Sequence, residues 1–121
     1  MEIHSYRDLK VWQLGVDLAA EVYDVTRLFP KSEIFGLSSQ LQRAAVSVPS
    51  NIAEGHARGS TKDFIHFLNI SLGSVAEVET QLLIGQRIEY VGSDTVDQLL
   101  HKYVELGKML RALQRSLEAR A

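Results

Sequence analysis

Four histidines, His4, His56, His66 and His101, and two close glutamates, Glu77 and Glu79, are the side chains here best suited to acid–base or metal chemistry. Asp63 stands three residues before His66 and Asp97 four before His101, spacings that put each couple on one helix face. A couple is not a metal site. Zinc takes four ligands, and di-metal bundle centres use Glu-x-x-His pairs plus glutamates from facing helices; this chain has no Glu-x-x-His. The couples therefore read as local pairing on a helix surface. Glu77 and Glu79 are two residues apart and point in different directions, so they cannot act together. Glu79 shares a side with Leu68, Leu72 and Leu83, where a carboxylate needs a matching donor. It reads as one half of an inter-helix ion pair, to Arg43 or Arg87. No catalytic residue, cofactor-binding residue or metal ligand follows, and no small-molecule substrate.

Gly55 to Lys62 has some character of an anion site: two glycines, His56, Arg58, Lys62 and a helix start rich in Ser and Thr. Neither Gly-x-x-x-x-Gly-Lys-Ser/Thr nor Gly-x-Gly-x-x-Gly is present, so a plain inter-helix loop is expected. Just before it, Pro49 falls inside an apolar periodicity that runs on through it, Ala44, Val48, Ile52. A proline inside a helix removes one backbone bond and crowds the carbonyl four residues earlier, at about 3 kcal/mol. Either the helix kinks there or a new one begins with Pro49 in its first turn. The unbroken periodicity predicts one kinked helix, with Ser47, Ser50 and Glu54 on the side away from the core.

The elements that would position these groups are all helical. Two prolines and three glycine-bearing loops divide the chain into four segments: about Tyr6–Phe29, Ser38–Glu54, Thr61–Glu89, and Ser93 or Asp94 nearly to the C-terminus. Ser60 or Thr61 can cap the third helix, and Ser93 or Asp94 the fourth. Short connections between long helices predict a single all-α domain over residues 1–121, an antiparallel up-down four-helix bundle. Val96, Leu99, Tyr103, Leu106, Leu110, Leu113 and Leu117 give the fourth helix one apolar stripe. The aromatics mostly fall on such stripes and read as core.

The first helix carries two stripes. One is Leu9, Trp12, Val16, Ala19 and Tyr23; the other is Val11, Leu18, Val22, Val25 and Phe29. At 100° per residue they lie on nearly opposite sides. A peripheral helix needs one buried face, so the second stripe, Val11 to Phe29, is the candidate subunit interface of a homo-oligomer. Replacing Leu18 and Val22 by Glu is then expected to dissociate the assembly and leave helicity intact.

Bulk composition narrows the function classes. Cysteine is absent, which excludes thiolate metal sites, cysteine nucleophiles and disulfides. No run nears the roughly 18 apolar residues of a membrane span, and Met1 to Lys10 lacks the features of a signal peptide, so the cytoplasm is expected and no membrane partner. Thirteen Lys plus Arg against fifteen Asp plus Glu give a charge of −2 and a pI of 6.1, against the basic excess usual in nucleic-acid domains.

Three segments carry a family resemblance: Tyr6-Arg7-Asp8-Leu9-Lys10-Val11-Trp12, Ser47-Val48-Pro49-Ser50-Asn51-Ile52-Ala53-Glu54-Gly55 and Gly73-Ser74-Val75-Ala76-Glu77-Val78-Glu79-Thr80-Gln81-Leu82. In this order and spacing they resemble the four-helix-bundle proteins encoded within intervening sequences of bacterial 23S ribosomal RNA genes. The motif residues are Ser47, Pro49, Asn51, Glu54, Gly55, Ser74, Glu77 and Glu79. Leu72 departs from the pattern, standing where many members carry an arginine. The chain is also similar to the accessory protein of diversity-generating retroelements, a barrel-shaped pentamer that binds nucleic acid. The resemblance implies an up-down bundle assembled as a ring-like homopentamer, with no catalytic residues.

Together these readings predict a non-enzymatic, self-assembling protein that binds RNA or an RNA-handling protein through the oligomer surface. The candidate nucleic-acid surface is Arg58, Lys62, Lys102, Lys108, Arg111 and Arg115. The alternative is a structural or protein–protein scaffold with no nucleic-acid partner.

Overall fold

A computed structural model of the protein describes residues 5–120. His4 lies outside them. Among the described residues there are four α-helices and no strand: α1 (Lys10–Thr26), α2 (Leu37–Ala57), α3 (Thr61–Arg87) and α4 (Ser93–Arg120). Two 3₁₀ turns, Tyr6–Asp8 and Lys31–Glu33, precede α1 and α2.

Each helix packs against its neighbours in the cycle α1, α2, α3, α4 and back to α1, and among the described residues the backbones do not approach closely across either diagonal. Side-chain contacts fix the directions. Gly15 lies against Pro49 while Thr26 bonds Gln42, so α1 and α2 run oppositely. Gly55 lies against Phe67 and Ser47 bonds Ser74, which sets α2 against α3. Asn69 bonds Gln114 and Gln86 bonds Ser93, which sets α3 against α4. One end of the bundle therefore holds the start of α1, the α2–α3 turn and the end of α4.

Helix limits follow local chemistry. Ser60 accepts from the Asp63 amide at 3.1 Å and caps α3, as the Ser-rich turn predicts. At the other end α3 stops two residues earlier than its apolar pattern suggests. Tyr90 N–H donates to the Gly85 carbonyl and Glu89 N–H to the Gln86 carbonyl, closing the helix through Glu89 at φ 65°. That left-handed position ordinarily takes glycine, so no glycine marked the stop. The 3₁₀ turn Tyr6–Asp8 and extended Leu9 delay the start of α1 to Lys10. Gly55 lies within α2, which runs on to Ala57.

The core contradicts one expectation about α1. Val11, Leu18, Val22, Val25 and Phe29 are buried in the chain's own core, Leu18 and Val22 completely. They cannot form a subunit interface. The other stripe is the divided one: Leu9 and Ala19 are buried, Trp12 is half-buried, and Val16 and Tyr23 are 39% and 42% exposed. Periodicity showed that α1 has two apolar sides but could not say which side faces the bundle.

Candidate functional site

The family-like motif on α2 builds a seam against α1 and α3. The helix passes through Pro49 unbroken, and the Pro49 ring is buried against Gly15 of α1. Ser74 on α3 and Ser47 on α2 share a hydroxyl hydrogen bond of 2.8 Å. Asn51 Nδ2 donates to the Ser47 hydroxyl and to the Ser47 carbonyl, and the Ser71 hydroxyl donates to the Val48 carbonyl. Ser47 is therefore half-buried on the α3 side rather than pointing away from the core; Ser50 and Glu54 are exposed. Gly55 lets α3 come close, for a β-carbon there would lie 2.6 Å from Phe67 Cβ. Close backbones and short polar bridges are the structural part played by the Ser, Asn and Gly of the motif.

The two carboxylates of the second motif segment separate as expected. Glu77 is exposed and Glu79 is half-buried. Contrary to the sequence expectation, Glu79 makes no ion pair with Arg43 or Arg87 among the described residues. Burial alone pushes its carboxyl above the ordinary range. The Tyr103 hydroxyl and Gln81 Oε1 are likewise buried without a partner.

The histidines do not converge. His56 packs edge-on against Phe64, His66 edge-on against Phe67, and His101 is exposed. The local pairings of Asp63 with His66 and Asp97 with His101 are not formed. Among the described residues no three His, Asp or Glu side chains stand close enough to hold a metal, and no helix is long and apolar enough to cross a membrane.

The six candidate nucleic-acid residues divide into two groups. Arg58 is paired with Glu54 at 2.8 Å and lies over the Phe67 ring. Lys102 is paired with Glu21 and Lys108 with Glu105. Their own chain thus offsets half of the cationic set. Lys62, Arg111 and Arg115 are exposed and make no ion pair among the described residues. Lys62 starts α3 and Arg115 nears the end of α4, which places them toward the same end of the bundle.

Sequence reasoning missed an apolar surface. Phe35, in the connection between α1 and α2, is 96% exposed. Leu83, Ile84 and Ile88 are also exposed, and an open groove of about 750 Å³ runs past Thr80, Leu83, Ile84, Gln86 and Arg87. A shallower one of about 310 Å³ continues along α3 past Ala76, Glu77, Thr80 and Ile84. The available signal was the apolar residues of α3 that fall off the side of Val75, Val78 and Leu82, the same sign already noted on α1.

Comparison with known proteins agrees with this architecture. Residues 7–112 match the family model described as 23S rRNA-intervening sequence protein. A solved structure of a protein with unknown function from the S23 ribosomal protein family, from Bacteroides thetaiotaomicron, is similar, with a TM-score of 0.77 and 26% identity. The match covers 86% of this chain and 97% of that one. No curated protein matches the chain.

Proposed function

As the chain belongs to the 23S rRNA-intervening sequence protein family, we propose that it is a non-enzymatic bundle that works as a homo-oligomer and contacts RNA with the oligomer surface. The observation that supports the self-association is the set of uncovered apolar side chains, Phe35 between α1 and α2 and Leu83, Ile84 and Ile88 at the end of α3. Large contiguous apolar patches on a soluble domain mark interaction sites. Serine, histidine and carboxylate groups are dispersed or bonded to backbone and to one another, so the bundle supplies a surface and not a reaction centre.

RNA contact is assigned to Lys62, Arg111 and Arg115, which make no ion pair among the described residues. Repetition of these cations around an oligomer would multiply their field, which a single-chain charge of −2 conceals. A gel-shift titration with structured RNA over a range of salt tests it. Affinity should fall steeply as salt rises, and Glu at these positions should weaken binding and flatten that dependence. Binding indifferent to salt, or none, contradicts the RNA reading. The second reading, a protein-only scaffold, is favoured by the internal pairing of Arg58, Lys102 and Lys108. Capture of the same partners after nuclease treatment would select it.

A further inference from the structure

One side chain ties the connection between α1 and α2 to the turn between α3 and α4. Glu33 closes the 3₁₀ turn Lys31–Glu33. Its Oε1 accepts from the Leu37 amide at 3.0 Å, and its Oε2 accepts from the Tyr90 hydroxyl at 2.8 Å. The N-cap residue of α2, Gly36, has no side chain to offer, so Glu33 supplies the cap from just upstream. Gly36 also leaves it room: a β-carbon there would lie 2.5 Å from Glu33 Oε1. The Leu37 amide and then the Tyr90 hydroxyl lower the Glu33 carboxyl, and the same bond raises the Tyr90 hydroxyl.

The Tyr90 end of this bridge is anchored. Tyr90 N–H donates to the Gly85 carbonyl at 2.9 Å, and its ring lies 5.4 Å from that of Phe29, which is buried beside Gly85. The Glu33 end has no such support. Every residue from Pro30 to Gly36 is exposed or half-buried, and among the described residues no other side chain of this stretch hydrogen-bonds a second element. Segments with few buried contacts open locally at low free energy, without unfolding the domain. Pro30, Lys31 and Ile34 also wall an open groove of about 290 Å³, which Ser38 and Gln42 of α2 line as well.

We infer that residues 30–36 are a strap that opens as a unit while the four helices stay packed, and that the Tyr90–Glu33–Leu37 bridge is its clasp. Opening uncaps α2, carries Ile34 and Phe35 out of their closed positions and widens the groove that the strap walls. Tyr90, distant from the strap in sequence, thereby sets how often the groove opens.

Hydrogen exchange of the full chain, followed by NMR in low urea, tests it. The Gly36 amide, which donates to the Glu33 carbonyl, and the Leu37 amide report on the strap. The amides of Val78 and Leu106, at fully buried positions, report on the bundle. The strap amides should exchange faster than the core ones and with little dependence on urea, because their opening exposes little surface. Tyr90→Phe keeps the ring and removes only the hydroxyl; it should speed exchange at Gly36 and Leu37 about tenfold. In a Glu33→Ala background the same change should add nothing. Strap amides that share the rate and urea dependence of the core would overturn the separate opening. Unchanged exchange at Leu37 in Tyr90→Phe, or an equal effect with and without Glu33, would overturn the clasp.

Discussion

Gly15 and Pro49 meet where α1 crosses α2: a β-carbon on Gly15 would lie 3.3 Å from Pro49 Cβ and 3.5 Å from Pro49 Cδ. The proline that weakens α2 thus has its ring buried against the residue with no side chain. Gly55 plays the same part nearer the end of α2, with less room to spare. Gly15→Leu should cost about 2 kcal/mol by overpacking against a ring that cannot turn aside. Gly55→Ala should also destabilise, because its contact with Phe67 lies at the base of the side chain and outweighs the gain of about 1 kcal/mol in helix propensity. Urea unfolding curves measure both.

Glu89 holds a left-handed conformation that closes α3. An L side chain there costs about 1 kcal/mol relative to glycine. Glu89→Gly should raise the melting temperature by several degrees. A melting temperature lowered by the change would contradict the assigned termination.

Leu18 and Val22 are fully buried. Leu18→Glu or Val22→Glu should therefore abolish folding, since an unpaired charge in a core costs several kcal/mol. Val16→Glu and Tyr23→Glu, on the exposed side of α1, should keep full helicity. Circular dichroism of the four variants separates the two faces.

Glu33 and Glu79 titrate with opposite consequences. The Leu37 amide and then the Tyr90 hydroxyl, both donating to Glu33, hold its carboxyl below the ordinary 4.5. The stability this adds is present above pH 4.5 and is lost as pH falls below it toward the folded-state value. Burial holds Glu79 above 4.5. That shift favours the folded state below pH 4.5 and is lost as pH rises through the folded-state value. Glu33→Gln should therefore lower the melting temperature at pH 7, and Glu79→Gln should raise it. Both differences should shrink as the pH is brought below 4.5.

The helices were legible because apolar residues of α4, from Val96 to Leu117, recur at steps that a single buried face requires. Family and order of elements were legible from the motif around Pro49. Three things were not. Which side of α1 is buried depends on how α1 leans on α2 and α4, and that comes from contacts such as Gly15 with Pro49, far apart in sequence. The end of α3 was hidden because glutamate occupies a glycine position. The exposed apolar residues of α3, Leu83, Ile84 and Ile88, were not singled out because only the packing of Val75, Val78 and Leu82 shows which side of the helix fills the core. The charged candidates fared unevenly for a related reason: Lys102 and Glu21 are distant in sequence, and only folding brings them to 2.9 Å.

Self-association is the claim on which the functional reading turns. Sedimentation equilibrium of the unaltered chain across a range of concentrations addresses it directly. A species whose mass is two or more times 13.5 kDa is expected, giving way to smaller species only on dilution. A single component of 13.5 kDa at every concentration, with Phe35 and the α3 face bare to water, would contradict it.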